Sequence, residues 1–94
     1  MYTLYFEDST FESFQETINY YEYISEGLAD KFEIDFWKTI EKMKNNPKHF
    51  QIRYKNVRVA FTETFSFGIH FFIDEDKIVV IDLFHTSQDV EKEI

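Results

Sequence analysis

The stretch "FSFGIHFFIDEDKIVVIDLFH", residues 65–85, decides the fold. Phe65, Phe67, Ile69, Phe71 and Ile73 alternate with Ser66, Gly68, His70 and Phe72. Successive side chains of an extended chain point to opposite sides, so a period of two predicts a strand with one strongly apolar face. Asp74-Glu75-Asp76-Lys77 supplies a polar turn. "KIVVIDLFH" is then apolar on both faces except for Asp82, as expected of a central strand. Just upstream, "VRVAFT", residues 57–62, alternates as well. It sets Val57, Val59 and Phe61 against Arg58, Ala60 and Thr62, and Thr62-Glu63-Thr64 can turn it into the next strand.

The first half has a different period. "YTLYF", residues 2–6, is short and aromatic and reads as a strand. Ser9 and Glu12 have the spacing of a capping box. Phe11, Phe14, Ile18 and Tyr21 recur at helical intervals, which predicts a helix over about residues 10–24. "SEG", with Gly27, interrupts the pattern. A second stripe follows in Leu28, Phe32, Phe36, Ile40 and Met43. Asn45-Asn46-Pro47 ends it, because proline cannot donate a backbone hydrogen bond and disfavours helix at the residue before it. Ile34 and Trp37 lie partly off this stripe, either as an exposed partner contact or as part of a wider buried face. The expected architecture is a single α+β domain over residues 1–94, in the order β-α-α-β-β-β. A helical hairpin packs on one face of a mainly antiparallel sheet, in two layers, and leaves the other face free for a site.

Composition narrows the function. Nineteen of the 94 residues are aromatic, 12 of them Phe, so a few large side chains can build a core in a short chain. With no cysteine the chain has no disulfides, which fits a reducing compartment. No window approaches the ~20 apolar residues of a membrane span, and the N-terminus lacks the pattern of a signal peptide. A cytoplasmic location is expected.

The net charge of −8 is unevenly spread. Residues 1–41 carry ten acids against Lys31 and Lys38. Residues 42–62 carry Lys42, Lys44, Lys48, Arg53, Lys55 and Arg58 and no acid. Residues 63–94 carry eight acids against Lys77 and Lys92. An acidic chain repels phosphates, so direct binding of free DNA is not expected. The basic stretch is the place for a local acidic partner.

The candidate binding residues are Arg53, Lys55, Arg58, His70, His85 and Gln88. If the helices cover the apolar face of residues 57–73, alternation puts Arg58 and His70 on the open face, with Arg53 and Lys55 within reach of the same mouth; alternation does not fix the register between strands. Arg offers a fixed fork of donors for phosphate or carboxylate, and Lys a point charge. If the site cleaved RNA, Arg58, Lys55 and His85 would be its catalytic set, moving protons and stabilising charge on phosphorus. The plainer readings are a surface His70, a His85 bonded to a nearby loop and an Arg58 paired with a surface acid. His49, His70 and His85 lack metal-ligand spacing, and neither a metal nor a cofactor is expected.

"NNPKHFQIRYKNVRVAFTETFSFGIHFFIDED", "IVVIDLFHTSQD" and the hairpin "YYEYISEGLADKFEIDFWKTIEKM" together resemble the RelE/ParE toxin superfamily, whose members are often described as plasmid-stabilisation proteins. The resemblance implies the same two-layer fold. It also implies the toxin half of a bacterial type II toxin–antitoxin module, neutralised by a cognate antitoxin that lays an extended or helical segment across it. ParE-like members poison DNA gyrase, and RelE-like members cleave messenger RNA on the ribosome. The resemblance carries over Arg53, Lys55 and Arg58 as a basic strand region and His85 to Asp89 as a terminal motif. Ser66, Gln88 and Val90 stand where the family often has proline, arginine and proline. The missing cation at Gln88, the acidic balance and the "HTS" ending favour the ParE-like, protein-binding branch. The nuclease and an attenuated, non-toxic member stay as alternatives.

Overall fold

The computed structural model describes residues 1–86. Strand β1 (Thr3–Phe6) leads into helices α1 (Asp8–Ile24) and α2 (Leu28–Asn45). A single turn of 3-10 helix follows at Pro47–His49. Then come β2 (Ile52–Tyr54), β3 (Val57–Phe61), β4 (Phe67–Asp74) and β5 (Lys77–His85). The five strands form one sheet in the order β1-β5-β4-β3-β2. β1 runs parallel to β5, and the other pairs are antiparallel. The expected order is met with one addition: "IRY", read from sequence as part of a loop, is the edge strand β2. Tyr54 pairs with Val57 across a tight Lys55-Asn56 turn, with Lys55 in the left-handed region at φ 49°.

The hairpin covers one face of the sheet. α2 contributes Phe32, Phe36, Ile40 and Met43, all essentially without exposure, and α1 contributes Ile18. They meet Ala60, Phe67, Ile69, Phe71, Ile78, Val80 and Leu83 from the sheet. Phe14 of α1 joins the two helices, its ring 4.8 Å from that of Phe36.

Two polar devices fix the hairpin to the sheet. The capping box expected at Ser9 and Glu12 is absent: α1 begins two residues earlier, at Asp8, with no side-chain cap. Ser9 Oγ donates instead to the Ile81 carbonyl at 2.5 Å, and Thr10 Oγ1 to the Val80 carbonyl at 3.1 Å. β1 stops at the level of Val80, so these bonds serve the β5 edge where its strand partner ends. At the far side, Asp35 of α2 is buried and accepts three backbone N–H groups. Glu63 N lies 3.1 Å from Oδ1, and Thr64 N and Phe65 N lie 2.9 and 2.8 Å from Oδ2. One carboxylate thereby holds the β3–β4 turn against the helix with charge-assisted bonds.

The strand register corrects the expected faces. Arg58 is opposite Phe71, Val59 opposite His70 and Ala60 opposite Ile69. Directly opposed residues share a face. Arg58 therefore lies on the helix side with Ala60, while Val57, Val59 and Phe61 lie on the open side with Gly68 and His70. Both faces of β3 are apolar enough to pass for the covered one, and alternation alone does not say which is which. The open face covers itself: Val59 is 4% and His70 4% exposed. A Cβ on Gly68 would come within 2.8 Å of Val59 Cγ1, so the missing side chain lets Val59 and Phe61 settle across β4.

Candidate functional site

The structure distributes the sequence-predicted residues over three places. On the open face, the Tyr54 hydroxyl is 2.8 Å from His70 Nδ1, and the His70 ring stands edge-on to Phe84 at 4.9 Å. Arg53 sits beside this cluster with its guanidinium 5.4 Å above the Phe61 ring, in cation–π contact. Arg53 and His70 thus share a face.

Arg58 does not join them. From the helix side of the sheet edge its Nη1 donates to the Phe50 carbonyl at 2.7 Å and the Lys48 carbonyl at 3.3 Å. It ties the segment after α2 to β3 and so serves as backbone support. The expectation that Arg58 and His70 both point to the open face is overturned for Arg58, because adjacent pairs of the β3–β4 ladder point to opposite sides. Lys55 is the turn residue of the β2–β3 hairpin. Gln88 lies outside the described residues, as do Ser87 and Asp89 of the terminal motif.

His85 occupies the third place. It is opposite Phe67, its ring 5.1 Å from the Phe67 ring, and so faces the helix side rather than the open face. There it borders a groove of about 630 Å³ between α1 and the last part of β5. Ser13, Glu16, Thr17, Tyr20, Tyr21 and Ile24 form the helical wall, and Leu83, Phe84 and His85 the strand wall. Ser13 Oγ of the helical wall donates to Asp82 Oδ1 of β5 at 2.6 Å. Burial pushes the Tyr21 phenol above its ordinary value of 10.0, and neighbouring Tyr20 adds to the rise. The groove thus combines apolar and aromatic surface from Tyr20, Tyr21, Ile24, Leu83 and Phe84 with the polar groups of Ser13, Glu16, Thr17 and His85.

Sequence reasoning missed this groove because it is built from two distant segments. One signal was available: Tyr20 and Ile24 fall four residues apart on α1, on a face next to the Phe14–Ile18–Tyr21 stripe. Asp35 was also missed. It lies three residues after Phe32, on the buried stripe, and a carboxylate there needs donors from elsewhere. Among the described residues no group of three His, Asp or Glu side chains could hold a metal ion. No described helix is long and apolar enough to cross a membrane.

No family model and no curated protein matches the chain. Among solved structures it is similar to a chain described as "Chromosomal ParDE TA system from P. aeruginosa". The TM-score is 0.79 at 15% sequence identity, covering 90% of this chain and 96% of that one. A likeness of this extent at this identity establishes the fold: two helices packed on a mixed five-stranded sheet, as in the ParE-like proteins. The fold implied by the resemblance to the RelE/ParE superfamily is the fold observed.

Proposed function

We propose that the chain is the toxin component of a type II toxin–antitoxin pair and that it acts by protein contact on a gyrase-type target. The observation that carries the proposal is the shared fold with a chain of a ParDE system over nine-tenths of the sequence. The dispersal of the candidate catalytic groups favours contact over cleavage. RNA cleavage by Arg58, Lys55 and His85 needs all three within reach of one phosphate. Arg58 is engaged by the Phe50 and Lys48 carbonyls at the sheet edge. Lys55 sits in a turn, and His85 faces α1 across the groove. The α1–β5 groove, with its aromatic wall from α1, offers a seat for a neutralising antitoxin segment.

The test is induced expression in bacteria lacking any antitoxin, with growth, translation and DNA supercoiling read together. Growth arrest with altered supercoiling and intact translation is the expected result. Rapid loss of translation with cleaved messenger RNA would replace contact by ribonuclease action. Normal growth would identify an attenuated member of the fold. Co-expression with the product of a short reading frame beside the gene is expected to restore growth, and Ile24→Glu in the groove to abolish that rescue.

A further inference from the structure

The two ends of the α1–β5 groove differ in chemistry. Toward the start of α1, Ser13 Oγ donates to Asp82 Oδ1 at 2.6 Å, and Glu16 and Thr17 follow one turn later. Toward the end of α1, Tyr20, Tyr21 and Ile24 meet Phe67 and His85. The Tyr21 ring lies 6.4 Å from that of Phe67, which lies 5.1 Å from that of His85. Tyr20 and Ile24 are 60% and 50% exposed, so large apolar surface is left in water at this end.

The charge at the first end has one sign. Glu16 lines the groove, and Glu12 stands one turn before it, on the same i, i+4 ridge as Tyr20 and Ile24. Asp82 lies within hydrogen-bond distance of Ser13. α1 contains four acids and neither Lys nor Arg, and no Lys or Arg is among the described residues that line the groove. Glu16 has no ion-pair partner among the described residues. His85, the lining group able to take a positive charge, sits at the other end, against Phe67. Glu16 and Ile24 are eight residues apart on one helix, a rise of about 12 Å. An exposed carboxylate and exposed apolar side chains are thus held at a fixed separation.

We propose that the groove selects its partner segment by two features at once: a Lys or Arg that faces Glu16, and an apolar residue that seats against Tyr20 and Ile24. The inference rests on the reading of the groove as the antitoxin seat and specifies the chemistry of the segment that fills it. An extended segment covers the separation in about four residues and a helix in about eight. Burial of the apolar residue supplies most of the affinity. The ion pair is exposed to solvent and supplies selection more than strength. An acidic segment sets its own carboxylate against Glu16 and is rejected.

The probe is a phage-displayed library of random peptides selected against the full chain. Peptides with Lys or Arg about four or about eight positions from an aliphatic or aromatic residue should be enriched. Synthetic copies of them should bind Glu16→Gln about threefold more weakly and Ile24→Glu about tenfold or more weakly. Selection against Glu16→Lys should return acidic residues in place of the basic ones. Glu41→Lys, on α2 and outside the groove, makes the same change in net charge and should return the wild-type pattern. Glu16, Ile24 and Glu41 are all exposed, and circular dichroism checks that each variant folds. The proposal is overturned if no peptide is enriched, if the enriched peptides lack the basic residue, or if Glu16→Lys returns the wild-type pattern. It is equally overturned if Glu41→Lys shifts the pattern as Glu16→Lys does, or if binding survives Ile24→Glu. Displacement of the selected peptides by a synthetic peptide of residues 87–94, or a dimer in sedimentation that Ile24→Glu dissolves, would also overturn it. Growth assays keep the two readings apart: arrest without antitoxin supports the toxin whatever the library returns, and the basic signature stands or falls on the library.

Discussion

The helix-covered face of the sheet and the open face bury side chains by different means. On the covered face, large rings from α1 and α2 close over the strands: Phe36 lies between Phe14 at 4.8 Å and Trp37 at 5.0 Å. On the open face the described residues lay down no helix. Val57 and Val59 are shielded by their own neighbours, with Gly68 allowing a close approach across the strands and the Tyr54–His70–Phe84 cluster at the edge. The first arrangement withdraws much surface per residue and supplies most of the stability. The second covers a thin layer and leaves Phe61 46% exposed. An apolar pattern on a strand therefore marks burial, not the identity of the layer that buries it.

Truncating a ring on each face gives the widest separation. Phe36→Ala is expected to cost about 4 kcal/mol, the transfer free energy of the ring plus the cavity left behind. Phe61→Ala is expected to cost at most about 1 kcal/mol, because half of that ring is already wet. Urea denaturation of both variants reads the difference. Equal losses would mean that the open face is a core on the same footing, and the comparison would fail.

The polar anchor of the covered side comes next. Asp35→Ala removes the acceptor of three backbone N–H groups and is expected to cost about 3 kcal/mol. Amide exchange at Glu63, Thr64 and Phe65 should accelerate together, ahead of global unfolding. If those three amides stay protected, the turn is held by something other than the carboxylate.

The open face has its own sharp test. Gly68→Ala forces Val59 to move and is expected to cost about 2 kcal/mol by overpacking. Combining it with Val59→Ala should recover about 1 kcal/mol relative to the sum of the single changes, since one removes the atom the other collides with. Additive losses would place the strain elsewhere than at Val59.

These two faces also show what sequence alone could establish. The hairpin and four of the five strands were legible because the period changes from 3.6 to 2 between Met43 and Val57, and because Asn45-Asn46-Pro47 marks the end of α2. Strand β2 was not legible: three residues beside a two-residue turn make too short a run for periodicity to register. The candidate site failed on register. Alternation correctly puts Arg58 and Val59 on opposite sides of β3, but only the pairing of Arg58 with Phe71 shows which side has the helices. Alternation assigns His85 no face, and its pairing with Phe67 puts it on the helix side. Residues such as Asp35 and Ser9 bond across 28 to 72 positions of sequence, where no local pattern can announce them.

The smallest expected effect lies at the rim of the covered side, where Lys42 pairs with Glu63. The hydrogen bond from Lys42, then its charge and that of Lys38, hold the Glu63 carboxyl below its ordinary value of 4.5. A carboxylate with a depressed folded-state pKa contributes stability above its unfolded value and loses it as pH falls through the folded one. Wild type should therefore exceed Glu63→Gln slightly at neutral pH, and the two should converge in acid. Both side chains of the pair are more than half exposed, so salt screens the interaction and about 1 M NaCl should shrink the difference. The buried Asp35 anchor beside it, shielded from solvent and bonded to fixed amides, should keep its effect in the same salt. A Glu63→Gln difference that survives both acid and salt would show that Glu63 acts through the turn geometry set by Asp35 rather than through its charge.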